Sequence, residues 1–306
     1  MEASSDRRPS FAPRNWSGWI AVALFFLLGM LPQRVGIWLT EPLGPLLCRF
    51  ATRRRKVAER NLERCLPELD EAERERILRG CFRSLARMIA ETAWCWSPLR
   101  GRIKRIGQVH GLEHLFDAEE QGRGVLVLTS HNTCLEIGGC ILGYTVQGRG
   151  VYRPMKNEVI EWYQNRRRRH YIEGGLIAKR DVRAMIRLLR NGGMLWYAPD
   201  QDFGPDQSVF APFFGIQTAT LLATYRLPKM TGCALVPMFP RYDRKRRRYD
   251  VYLYPALEDF PTDDPVADLS RINAVLERQV REEPEQYWWI HRRFKTRPEG
   301  EPPFYD

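Results

Sequence analysis

Apolar residues crowd together over the first 50 positions and are spaced out among charges after that. From Asn15 to Gln33 no residue is charged, and Ile20-Ala-Val-Ala-Leu-Phe-Phe-Leu-Leu-Gly-Met-Leu31 is apolar on every side. At about 1.5 Å per residue this stretch spans roughly 28 Å, close to a bilayer core of about 30 Å. Trp16 and Trp19 sit at one end and Trp38 lies beyond the other, where an aromatic belt belongs. The pattern predicts an N-terminal membrane-associated helix. A signal peptide, with Arg7, Arg8 and Arg14 as its basic leader, and a buried core helix are the rival readings. No convincing small-x-small cleavage site is present, and the run leads directly into Pro32-Gln33-Arg34. Residues 34–50 continue with Val35, Ile37, Trp38, Leu39, Leu43, Leu46 and Leu47, broken by Pro42 and Pro45. They read as a second piece hugging the membrane. The pattern leaves open whether the first segment spans the bilayer or lies in its interface.

Beyond residue 50 the spacing becomes that of a folded domain. Residues 55–97 read as helices, with Asp70 as an N-cap ahead of the stripe Ile77, Leu78, Phe82, Leu85, Met88 and Ile89. Short apolar runs then alternate with helical stretches. Val125 to Thr129, Gly150 to Arg153, Met194 to Ala198, Ala234 to Phe239 and Tyr249 to Tyr254 are predicted strands. Helices are predicted from about Asn132 to Tyr144, Glu158 to His170, after Asp181 up to Gly192-Gly193, Thr218 to Met230 and Val266 to Arg281. Pro199 to Pro212 reads as a long loop. The alternation argues an α/β fold with a mostly parallel central sheet flanked by helices. Two parts follow: residues 1–50 as anchor and interfacial segment, and 51–306 as the α/β domain.

Composition narrows the classes without choosing among them. Hydrophobic residues make up 44% of the 306, which excludes global disorder. A net charge of +11 suggests an anionic partner: nucleic acid, an anionic membrane, a phosphorylated substrate or an acidic protein. The larger basic cluster, Arg34, Arg49 and Arg53 to Lys56, follows the apolar segment, so the positive-inside rule puts the main domain in the cytoplasm. Arg53 to Lys56 then meet lipid phosphates or form a solvated run. The seven cysteines are scattered, with no CxxC pair and no zinc spacing, as free thiols in a reducing compartment would be.

The sharpest local feature is Thr129-Ser-His131-Asn-Thr-Cys134-Leu-Glu136-Ile-Gly138-Gly139. His131 stands just past a buried strand, on the edge of α/β sheets that favours ligands. Glu136 lies five residues on, so the two share no face of a regular helix. They pair only if His131 sits in the turn before the helix and folds back. Such a dyad takes a proton from an alcohol. A satisfied polar pair at a helix start is the plainer reading of the spacing alone.

Further stretches extend the pattern. They are Tyr152-Arg153-Pro154; Trp196-Tyr-Ala-Pro-Asp200-Gln-Asp202-Phe-Gly204-Pro205, continuing Ser208-Val-Phe-Ala-Pro212-Phe213-Phe214; and Trp288-Trp-Ile-His291-Arg-Arg-Phe-Lys295-Thr-Arg-Pro-Glu-Gly300. Together with His131 and Glu136, they resemble the late acyltransferases of lipid A biosynthesis, in the lauroyl- and palmitoleoyl-transferase branch of the H-x4-D/E acyltransferases. The resemblance runs over almost the whole chain. It implies a single-anchor protein on the cytoplasmic face of the inner membrane of a Gram-negative bacterium. It further implies acyl transfer from acyl carrier protein to a hydroxyacyl chain of a Kdo-bearing lipid A precursor, with no metal or bound cofactor. Cys134 and the run Arg166 to Arg169 depart from the expected pattern.

The resemblance makes His131 the general base and Glu136 its support. Oxyanion donors are expected from backbone N–H groups at the helix start or from Arg153, which ends a strand on the same edge; a structural ion pair is the alternative for Arg153. Asp200 suits acceptor binding or support of His131, against plain turn chemistry. Phe213 and Phe214, with Phe210, line an acyl groove or pack in the core. Arg169 and its neighbours, Lys179, Arg180 and the basic residues around His291 face acceptor phosphates or an acidic carrier. Four rivals remain: an acyl-enzyme on Cys134, an acyltransferase for a lysophospholipid or another glycolipid, a basic nucleic-acid-binding membrane protein, and a membrane scaffold with a dead site. No nucleic-acid motif is present, so no nucleic-acid partner is expected.

Overall fold

The computed structural model describes residues 8–172 and 174–305; Arg7, placed above in a basic leader, lies outside them. Five helices come first: α1 (Trp16–Met30), α2 (Gln33–Thr40), α3 (Leu43–Phe50), α4 (Thr52–Cys65) and α5 (Glu71–Cys95). The rest alternates: β1 (Gly107–His110), α6 (Glu113–Glu120), β2 (Val125–Leu128), α7 (Leu135–Leu142), β3 (Arg149–Tyr152), α8 (Glu158–Arg168), β4 (Leu176–Ala178), α9 (Val182–Arg190) and β5 (Met194–Tyr197). Then come β6 (Ser208–Phe213), β7 (Ile216–Leu221), α10 (Ala223–Thr231), β8 (Ala234–Asp243), β9 (Arg248–Leu253) and α11 (Pro265–Glu282).

Seven strands form one sheet in the order β1-β9-β8-β2-β5-β3-β4. The five from β8 to β4 run parallel; only β9, with β1 beside it, runs against them. Every residue of β2 is buried, as a central parallel strand with both faces covered requires. The chain leaves β2 for β3 and β4 on one side, returns through β5, and crosses to β8 on the other. Strand order therefore reverses beside β2, where open α/β sheets bind ligands. Asp70 caps α5 as expected: it accepts from the Glu73 N–H, and Glu73 accepts from the Asp70 N–H in return.

One region departs from the expected pattern. The loop to Pro212 and the helix from Thr218 are instead a β6–β7 hairpin followed by a helix from Ala223. The β-branched Thr218 and Thr220 share one face of β7, and Asn273 of α11 pins the hairpin through Pro212 O and Thr220 Oγ1 at 2.9 and 3.1 Å.

The N-terminal segment forms a helix shorter than a bilayer span. α1 has 15 residues and stops ahead of Pro32, and no helix among the described residues is long and apolar enough to cross a membrane. One side of α1–α3 is docked on the domain. A Cβ on Gly29 would lie 2.4 Å from Ala93 O, and one on Gly44 would lie 2.7 Å from Arg83 Cα, so both glycines seat their helices directly against α5. Phe25 stacks on Trp96 with ring centroids 5.6 Å apart. The other side is bare. Ile20, Leu24 and Leu27, spaced along one face of α1, are each about 60% exposed, and Trp38 and Phe50 are above 70%. An apolar surface this wide marks an interaction face.

Candidate active site

Sheet register brings the site together. β2 pairs with β5 from Val125↔Met194 to Leu128↔Tyr197, and the Thr129 N–H continues the ladder to Tyr197 O at 2.9 Å. Carried three residues past Leu128 and Tyr197, the same register sets His131 opposite Asp200. The Asp200 carboxylate takes both His131 donors: its Oδ1 lies 2.6 Å from Nδ1, and its Oδ2 accepts the backbone N–H at 2.9 Å. Asp200 is buried, while the imidazole is 29% exposed. A proton on Nδ1 satisfies Asp200 and leaves Nε2 as the free, basic nitrogen. Burial raises the Asp200 carboxyl, but the His131 charge, its two hydrogen bonds and Arg293 outweigh this and hold it below its ordinary value. Asp200 therefore stays ionised.

Glu136 is placed elsewhere. Its carboxylate accepts from Trp96 Nε1 at 2.7 Å, from Arg168 Nε at 2.9 Å and a second Arg168 nitrogen, and from the Tyr171 hydroxyl. It makes no hydrogen bond to His131. The direct His131–Glu136 pairing is thus corrected: Glu136 starts α7, and its side chain turns toward α5 and α8. Burial raises the Glu136 carboxyl, yet the Arg168 charge and the three donors bring it below its usual range.

The other expected site residues separate. Arg153 directly follows β3 on the same edge, is exposed, and forms no ion pair among the described residues. Arg169 caps the end of α8 at the surface. The arginine run is dispersed: Arg166 and Arg167 lie over Trp162 and Tyr163, and Arg168 holds Glu136. Phe213 and Phe214 are both buried in the core, covered by Phe294, Tyr287 and Trp289, and line no open groove. Phe214 forms the β6–β7 turn with φ 51°. Cys134 is fully buried with its thiol on Gln286 Oε1, and burial, with Glu91 nearby, pushes it well above the usual thiol range. That argues against an acyl-enzyme on Cys134. The first amides of the helix start are also engaged: Thr133 N–H with Gln286 O, Cys134 N–H with Asn132 Oδ1, and Leu135 N–H with Asn132 O. Those three are not free oxyanion donors.

The C-terminal segment closes over the site, a role the sequence did not reveal. Residues 286–288 bridge the His131 loop, with Trp288 N–H on His131 O at 3.1 Å. Asp202 anchors this segment rather than a substrate, accepting from Thr296 N and Thr296 Oγ1 at 2.7 and 2.8 Å. Arg293 is buried and donates to Ala219 O at 2.6 Å. His291 Nε2 accepts the Asp202 N–H at 3.1 Å. Clefts of about 1390 and 840 Å³ are lined by other parts of the chain than His131; beside Ser130 and Asn132 there is a crevice of about 20 Å³. Among the described residues, no three metal-ligating side chains converge.

Burial depresses the His291 imidazole from 6.5 to about 4. Between these values the unfolded chain binds the extra proton and the folded chain does not. Stability is therefore full above about 6.5 and falls as pH drops toward 4. The depressed Asp200 and Glu136 carboxyls act in the same direction at lower pH. Urea midpoints at pH 7.5 and 5 are expected to differ clearly in the wild type and by less in His291→Gln. Equal pH dependence in both proteins would exclude His291 as a source.

Residues 6–296 match the family model described as bacterial lipid A biosynthesis acyltransferase. A lipid A biosynthesis lauroyltransferase of Escherichia coli is 39% identical, with 96% of each chain covered. A palmitoleoyltransferase of the same organism is 36% identical over 96% of this chain and 95% of its own. A myristoyltransferase, again from Escherichia coli, is 33% identical over 94% and 90%. With the family match spanning nearly the full length, this chain belongs to the bacterial lipid A biosynthesis acyltransferases and is an acyltransferase.

Proposed function

We propose that the protein transfers a fatty acyl chain from an acyl carrier protein thioester to a hydroxyl on a hydroxyacyl chain of a Kdo-bearing lipid A precursor. The observation that carries this reading is the His131–Asp200 pair, held at 2.6 Å on the ligand-favouring edge of the sheet. His131 Nε2 takes the acceptor hydroxyl proton as the oxygen attacks the thioester carbonyl. Asp200 holds the ring and stabilises the charge that develops on it. When the tetrahedral intermediate collapses, the C–S bond breaks and the carrier thiol leaves with the proton from His131. Arg153 is the side-chain candidate for the oxyanion. Glu136 serves as a positioning residue, fixing the start of α7 against Trp96, Arg168 and Tyr171.

The bare apolar side of α1–α3 sits in the membrane interface at the cytoplasmic face of the inner membrane. An acceptor anchored in the bilayer is then presented to the sheet edge.

The three relatives are named for different acyl chains, so donor length is a question for assay. Purified protein is expected to acylate labelled Kdo-bearing lipid A precursor from a panel of acyl carrier protein thioesters, with one chain length preferred. Turnover of lysophospholipid in place of that precursor would keep the chemistry and replace the acceptor.

A further inference from the structure

A cleft of about 840 Å³ opens beside α2 and draws arginines from three parts of the chain. Arg34 comes from α2, Arg83 from α5, and Arg244 and Arg247 from the turn between β8 and β9. All four are exposed. Arg244 reaches Glu41 Oε2 at 3.3 Å, but the other oxygen of Glu41 is already taken by the buried Arg87 at 3.1 Å. Arg34, Arg83 and Arg247 form no ion pair among the described residues. The cleft thus gathers positive charge well beyond what its one carboxylate offsets.

Its other wall is apolar: Val35, Ile37, Trp38, Pro42 and Pro45. That wall merges with the exposed Leu39, Leu43, Leu46 and Leu47 of α2 and α3. Guanidinium forks match phosphate oxygens. Like charges held together repel each other unless an anion sits among them. Trp38, 72% exposed, lies at the rim, where an indole suits the level of lipid headgroups. A polyanion without an apolar part would leave this wall uncovered. An anion carrying long acyl chains satisfies both walls at once.

We propose that this cleft binds the phosphate headgroup of an anionic phospholipid, whose acyl chains lie along the exposed side of α2 and α3. The proposal rests on the interfacial placement of α1–α3 put forward above and not on the transfer chemistry, because none of His131, Glu136 or Asp200 lines the cleft. The bound lipid is a fixing ligand that sets how the domain sits on the bilayer.

The test is flotation of the full chain with vesicles of phosphatidylcholine alone and with vesicles in which part of it is replaced by phosphatidylglycerol. Three unpaired arginines near an anionic surface predict a preference for the second on the order of 10²-fold. The variant R34A/R83A/R247A is expected to lose most of that preference while still binding phosphatidylcholine. The charge-matched variant R183A/R226A/R278A, on exposed positions outside the cleft, is expected to keep it. Equal losses in both variants would reduce the effect to bulk charge and overturn the site. So would a cleft variant with its preference intact, a wild type with none, or inorganic phosphate abolishing vesicle binding altogether. Transfer activity in detergent micelles, measured on the same proteins, separates the two readings. An inactive wild type that still selects phosphatidylglycerol would sink the substrate assignment and leave the cleft standing.

Discussion

His131→Ala is expected to lower kcat for acyl transfer by about 10²–10⁴-fold, the usual worth of a positioned general base. Asp200→Asn is expected to cost nearly as much, although it removes only one charge. The 2.6 Å contact and the second bond to the His131 amide hold the ring with Nε2 free, and an amide no longer balances the imidazolium formed during turnover. Both losses should appear in kcat more than in KM, because neither group is asked to bind the acceptor in its ground state. Asp200→Glu, which restores the charge, should recover part of the rate. Steady-state rates with folded, monodisperse variants decide the matter. Wild-type turnover in His131→Ala would exclude general-base catalysis at this position.

Glu136→Gln is expected to act mainly on stability. Glu136 and Arg168 are only 15% and 20% exposed. Removing the carboxylate charge leaves the Arg168 guanidinium largely buried without its counter-charge, a loss on the order of 3 kcal/mol. For a domain of this size, that corresponds to a fall in Tm of roughly 5 °C. The double variant E136M/R168M removes both charges and should regain part of the loss, with the remainder set by Trp96 Nε1 and the Tyr171 hydroxyl, which lose their acceptor. Assayed well below its melting point, Glu136→Gln should keep far more activity than Asp200→Asn. An unchanged Tm together with a kcat as low as that of Asp200→Asn would instead return Glu136 to the role of direct partner of His131.

This division between Asp200 and Glu136 shows where sequence reading ran out. The strand Val125–Leu128, the cap at Asp181 and the α/β alternation are local properties, and all appear where expected. The histidine was found by its place after a buried strand. Spacing offers it a partner five residues away, but the fold supplies one that only strand register brings close. The place of Asp200 after β5 marks it in the sequence, with support of the histidine as one of its roles. Arg168 is hard to tell from Arg169 because four adjacent arginines look alike. Helical phase held the signal: Arg168 follows buried Gln164 by four residues and buried Asn165 by three. In the N-terminal segment the docked side was not legible. The segment is apolar all round, and hydropathy does not register that glycines such as Gly29 and Gly44 press one side onto α5.

The bridge between residues 286–288 and the His131 loop has a consequence for the chain as it is made. A polypeptide leaves the ribosome from its N-terminus at about 5–20 residues per second. The bare apolar helices emerge first, while the segment that clamps His131 is still untranslated. With α1–α3 in the membrane interface as proposed, the protein would settle on a bilayer as a nascent chain, and His131 would be locked in place only near the end of synthesis. On the same proposal, a product cut short before residue 286 would reach the membrane without the clamp on His131.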